Sequence, residues 1–258
     1  MMDCKFSFFL VQMKIGTLIQ LANMKKIVGF FLLFPVLYTQ GQSAAYMDSS
    51  VSAALDSAAN LYFADRANTL EIYNGRAFYG YPGIEGHAFY PFKDWQKGSI
   101  LYDGTWYHNI LLMYDIYKDQ VLIRHPTTIP VYLFNERVQK FYYDGQTFIR
   151  LRSDKDNVLK TGFYQVLTEG KVTVIVSRRK EIEEKIVDLT LERKFISSNV
   201  FYALKDSNYY LISNQKSFLK LLKDQKQNIL KHLKKNKLKY RKNEEKTILA
   251  IAEFYNQS

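Results

Sequence analysis

The sequence predicts a mainly antiparallel β protein: a meander folded into a curved sheet or barrel-like body, followed by a basic C-terminal α-helical hairpin. Three observations carry that expectation. Between residues 70 and 213, short runs of Tyr, Phe, Val and Ile alternate with turn dipeptides, which is how half-buried strands read. Three turns share one form: Tyr73-Asn74-Gly75-Arg76-Ala77-Phe78, Tyr102-Asp103-Gly104-Thr105-Trp106-Tyr107 and Tyr143-Asp144-Gly145-Gln146-Thr147-Phe148. After Asn214 the apolar spacing becomes three and four, through Phe218, Leu221, Leu222, Ile229, Leu230 and Leu233.

Taken in chain order, residues 1–45 read as an upstream segment and a secretory signal. Met24-Lys25-Lys26 is a short basic start, and the apolar run from Ile27 to Leu37 is too short to span roughly 30 Å of hydrocarbon. Small residues then allow cleavage after Gly41 or after Ala45. Residues 1–23 hold a second apolar stretch. One reading starts translation at Met24; the other makes residues 6–38 an N-terminal membrane anchor, burdened by Lys14, Lys25 and Lys26. The single cysteine, Cys4, falls in that segment, so a processed chain would have no disulfide and no thiolate site. No later run is long enough to span a membrane. Residues 46–69 form an Ala/Ser-rich leader with a short helix expected near 51–61, capped by Asp48 or Ser49.

Asn-Gly and Asp-Gly supply the positive φ values of two-residue type I′ hairpins, so each repeated turn is expected to join two strands. Their unequal spacing argues against a propeller or solenoid. Further hairpins are expected around Lys118-Asp119, Glu169-Gly170 and Asp206-Ser207-Asn208, giving about a dozen strands. The charged run 178–188 reads as a long exposed hairpin or solvated strand ends. A final helix is expected from Asn243, with Glu244 and Glu245 in its first turn, to Tyr255.

The net charge of +11 is unevenly placed. Residues 43–215 balance, whereas residues 216–246 hold 12 basic and 3 acidic side chains, which sets an organisational boundary near 215. Lys220, Lys223, Lys231, Lys234 and Lys235 are the candidates for contact with an anionic surface; otherwise they form the solvated face of helices packed through their leucines. An exported chain seldom meets nucleic acid, so no nucleic-acid partner is expected. An envelope protein, a lipid or an anionic surface is.

Chemistry-bearing motifs are sparse. His87, His108, His125 and His232 lack metal-ligand spacing, and no metal or other cofactor is implied. No G-x-S-x-G elbow or phosphate-binding glycine loop occurs. The richest mixture is Gly83-Ile84-Glu85-Gly86-His87-Ala88-Phe89-Tyr90 with Trp95. It offers Glu85, His87 and, more remotely, Asp103 as candidate catalytic groups, and Tyr81, Phe89 and Trp95 as a candidate stacking platform. The competing reading is a glycine-rich crossing whose aromatics belong to the core.

Asn74-Gly75-Arg76, Gly86-His87-Ala88-Phe89, the stretch from Trp95 to Tyr107, Leu112-Met113-Tyr114-Asp115-Ile116 and the tail from Lys216 to Asp224 resemble exported, β-rich proteins of Bacteroidota to which no function is assigned. The resemblance implies an envelope setting and carries over no site residues. The sequence therefore leads to an exported, periplasmic or outer-membrane-associated binding module for an apolar ligand or envelope partner. A lipid carrier with an uncovered concave apolar face is one concrete form. The rivals are a hydrolase of an envelope polymer and a structural component docked through its basic helices.

Overall fold

The structure, a computed structural model, describes residues 71–125, 129–153 and 158–258. The signal, the leader and the helix expected near 51–61 lie outside the described residues.

Turn chemistry sets the first hairpins. Asp103 and Gly104 take φ of 47° and 76°, and Asp144 and Gly145 take 50° and 69°, as type I′ turns require. They join β3 (Gln96–Tyr102) to β4 (Thr105–Asp115) and β7 (Val138–Tyr143) to β8 (Gln146–Leu151). The third repeat departs from the expectation. Glu71–Tyr73 is a 3-10 turn, and β1 (Arg76–Ala77) pairs across the sheet with β6 (Val131–Tyr132). Gly75 is there for space rather than for φ: a Cβ on it would lie 2.2 Å from the Tyr132 carbonyl oxygen.

The remaining strands are β2 (Phe89–Tyr90), β5 (Gln120–Ile123), β9 (Gly162–Thr168), β10 (Thr173–Val187), β11 (Thr190–Lys205) and β12 (Asn208–Leu211). The twelve strands of the described residues join one antiparallel, unclosed sheet in the order β1-β6-β5-β4-β3-β7-β8-β9-β10-β11-β12, with β2 on β4 beyond the end of β3. The sheet turns back on itself, since the Lys180 amide of β10 donates to the Ile116 carbonyl just after β4 at 3.1 Å. That curvature brings β10 beside the end of β4 without closing a barrel, so β1 and β12 remain edge strands.

One row of paired residues shows how the core is divided. Phe141, Phe148, Gln165, Val176 and Phe201 lie side by side across β7 to β11 on one face. At the Phe141 end the curled sheet buries its own face, with Phe141 and Phe148 stacked at 4.7 Å and Tyr114 and Phe163 edge-on. The positions that would line a carrier's cavity are thus filled by side chains. At the Phe201 end the same face is covered by helices through Phe218, Leu222, Ile229, Leu233, Ile248 and Ile251. Between the two cores, Gln165 accepts from Arg178 Nε at 2.8 Å, and Arg178 makes a two-pronged pair with Glu245 at 2.6 and 2.8 Å.

The C-terminal segment has three helices rather than the two of a hairpin: α1 (Gln215–Leu221), α2 (Lys226–Lys235) and α3 (Glu244–Gln257). The break after α1 carries neither Gly nor Pro, and Leu222, which caps α1, stays buried in the core. Asn214 and Ser217 form a reciprocal capping box on α1, and Asn243 caps α3 through the Lys246 amide. Among the described residues no helix is long and apolar enough to cross a membrane.

Candidate functional site

The site is built where β4 ends. Within the apolar run Leu112-Met113-Tyr114-Asp115-Ile116, the Asp115 side chain is fully buried, so its carboxylate must be saturated with donors. It accepts from Tyr132 Oη at 2.6 Å, from the amides of Tyr117 and Lys118 at 3.0 Å each, and from Tyr81 Oη. Burial, reinforced by Asp115, drives both tyrosine hydroxyls far above their ordinary pKa. They therefore act as fixed donors, and Asp115 is a structural anchor for the β4–β5 turn.

Four residues on, Asp119 sits at φ 53° and faces the start of β9. Its carboxylate accepts from Tyr114 Oη at 2.5 Å and from the Phe163 amide at 3.2 Å. Gly162 permits that approach, since a Cβ there would stand 2.5 Å from Asp119 Oδ2. Burial raises the Asp119 pKa, opposed by these two hydrogen bonds and then by Arg179 and Arg150.

Residues 116–119, 160–162 and 177–181 enclose a cleft of about 350 Å³. Lys118, Lys160, Arg179 and Lys180 are among its lining residues, with Asp119 and Glu181; Arg178 is already paired with Glu245. Lys180 Nζ is spent on the carbonyls of His87 and Phe89 at 2.5 and 3.1 Å, and burial lowers its pKa. Lys118 leans over the rings of Tyr81 and Tyr132 at 5.4 and 5.0 Å. Arg179 Nε donates to Ser177 Oγ at 3.0 Å, and both residues line the cleft. Among the described residues, no carboxylate forms an ion pair with Lys118, Lys160 or Arg179. Such a cleft can hold an anion; it aligns no nucleophile with a base.

The sequence-predicted residues fall around this cleft unevenly. His87 stacks on Phe89, its Nδ1 accepts from the Phe89 amide at 3.2 Å, and burial with Lys180 nearby lowers its pKa. Glu85 is exposed and pairs with Lys194 at 2.8 Å while its backbone bridges to β11. Asp103 lies at the opposite end of β4, paired with Arg137. No contact brings these three together. Phe89 and Trp95 pack in a small cluster with Met113, Leu122 and Tyr132, and Tyr81 lies edge-on to Tyr117 and Phe195. The five tail lysines are exposed on α1, on α2 and between them. Among the described residues no group of His, Cys, Asp or Glu could hold a metal ion.

Asp115, Asp119, Arg178 and Arg179 were not singled out by motif. Asp115 had a signal, a lone carboxylate within an apolar strand. Arg178, grouped with a solvated charged run, is in fact buried, because it falls two residues after Val176 on the core face. Comparison of the chain with family models, curated proteins and solved structures gives no match in any of the three.

Proposed function

We propose that the protein is an exported, non-enzymatic binding module of the cell envelope, which takes an anionic group of an envelope component in the cleft between the β4–β5 turn and β10. The observation that supports this reading is the presence of Lys118, Lys160 and Arg179 in the lining of one cleft, without ion-pair partners among the described residues. The export half rests on the signal-like residues 24–45 and on the resemblance to exported proteins. An apolar ligand held inside the sheet has less support, because Phe141, Phe148, Tyr114 and Phe163 occupy that interior.

Co-sedimentation with phosphatidylcholine vesicles, with and without phosphatidylglycerol, tests the proposal at low salt. Each cation is worth up to about 1 kcal/mol beside an anionic surface, so the triple variant Lys118→Gln, Lys160→Gln, Arg179→Gln should weaken binding on the order of tenfold or more. Inorganic phosphate should compete. Lys231→Gln, Lys234→Gln and Lys235→Gln together should leave most of the binding. If the tail variant abolishes binding and the cleft variant does not, the protein docks through its helices instead.

A further inference from the structure

The β10–β11 hairpin outruns the sheet. Its ladder continues without a bulge to Val187 paired with Thr190, yet among the described residues the last neighbour along its edge is the loop at Glu85, which bonds Arg193 and Phe195 of β11. From Lys185 to Glu192 the two strands have no further strand beside them among the described residues. A solvated tip should be polar and turn on Gly or Asn. This one carries Ile186, Val187, Leu189 and Leu191, all exposed, with Leu189 wholly exposed. The turn itself is Asp188-Leu189 at φ 48° and 63°, a conformation in which a leucine side chain is strained. An apolar side chain held out at a strained turn is the mark of a contact surface.

The complementary surface is on the helices. Leu219, Leu230 and Tyr240 line an apolar groove of about 490 Å³ rimmed by Lys216, Lys226 and Arg241. The charges are opposite in sign: residues 181–196 of the hairpin hold five acidic and three basic side chains, with Glu183 and Glu184 paired to Lys185 and Arg193, whereas residues 216–246 hold 12 basic and 3 acidic. The tip cannot reach the groove of its own chain. The helices pack on β10 at Val174 and Val176, and Asp188 lies about 40 Å further along the ladder at strand rise.

We infer that the hairpin tip of one molecule docks in the helical groove of a second copy, with Leu189 and Ile186 against Leu219, Leu230 and Tyr240, and Asp188 and Glu192, which form no ion pair among the described residues, facing Lys226 and Arg241. A reciprocal exchange closes a two-fold dimer; a one-way contact would give open chains. The contact is independent of the anion cleft.

Native mass spectrometry and sedimentation velocity on the full chain, over about a hundredfold range of concentration, test it. The wild type should populate dimers that dissociate as salt rises. Leu189→Gly is the decisive variant, since it deletes the side chain and relieves the strained turn. It should be monomeric while melting at the same or a higher temperature. Leu230→Asp should also be monomeric, and an equal mixture of Leu189→Gly and Leu230→Asp should form a mixed dimer through its one intact contact. A wild type that stays monomeric at low salt, or a dimer indifferent to Leu189→Gly, overturns the inference. A tip-dependent association with phosphatidylcholine vesicles by a monomeric protein would assign the tip to lipid instead.

Discussion

Replacing Glu245 by alanine should cost more than removing Glu245 and Arg178 together. The Arg178 side chain is 3% exposed, between the self-packed end of the sheet and the helix-covered end. Its guanidinium has three anchors: Gln165, Glu245 through two hydrogen bonds, and the Tyr90 ring at 4.8 Å. Glu245→Ala removes the two charge-assisted bonds and leaves a cation in place with a neutral amide and a ring face. Breaking a buried pair from one side costs about 3–5 kcal/mol. Glu245 is 34% exposed, so water can enter where it stood, and the lower end, about 3 kcal/mol, applies. The double variant Arg178→Met, Glu245→Leu leaves no orphaned charge. Gln165 keeps its bond from Tyr90 Oη, and the cost should fall to about 1 kcal/mol or less. Urea unfolding followed by the fluorescence of Trp95 and Trp106 reads this directly. With a slope of about 2 kcal/mol per molar, the single variant should move the midpoint by roughly 1.5 M at unchanged slope. A single variant costing under about 1 kcal/mol, or a double variant less stable than the single, would refute the account of a buried cation held by its partner.

Other perturbations follow from the same geometry. Gly98→Ala puts a Cβ 2.4 Å from the Tyr142 carbonyl oxygen and 2.7 Å from Leu112 Cδ2, so β3 must shift against β7 at a cost of about 2–3 kcal/mol; Gly145→Ala meets open space and bears only the positive φ, about 1 kcal/mol, a contrast that thermal unfolding resolves. The folded-state pKa of Asp119 lies above its unfolded value, so the folded protein binds the proton more readily. That contribution favours folding at low pH and is lost as pH rises from the unfolded pKa through the folded one; the stability difference between wild type and Asp119→Asn should therefore shrink or reverse from pH 4 to pH 7 in urea titrations. Deleting residues 216–258 uncovers Val172, Val174, Val176, Phe201, Ala203 and Ile212 together, and circular dichroism should report loss of the β signal rather than a folded sheet without its tail.

The strands were legible where local chemistry decides them. Asp103-Gly104 and Asp144-Gly145 force type I′ turns wherever they stand between alternating aromatics, so β3–β4 and β7–β8 follow from four residues each. Asn74-Gly75 offers the same letters, but its glycine answers to the Tyr132 carbonyl from a strand some 57 residues on, a demand that no local window contains. The break between α1 and α2 was equally silent. Leu222 and Ile229 hold the helical period across it, and only the surface of β10–β12 decides that two short helices cover it better than one.

Site residues were hidden for a related reason. Sequence reading weights chemistry by motif and assigns dense charge to solvent, which is right for Lys234 and wrong for Arg178. Strand parity carried the missing information: counting in twos from Val174 through Val176 reaches Arg178 on the core face, and a guanidinium there requires a carboxylate from a distant element. Counting in twos past Arg178 reaches Lys180, whose amide still bonds Ile116, then Ile182, Glu184 and Ile186, and among the described residues the last is 77% exposed. The same parity that buries a charge at one end of β10 thus exposes an aliphatic at the other. A strand that buries Arg178 against Glu245 and then extends to present Ile186 and Leu189 to water is organised for a partner at its tip.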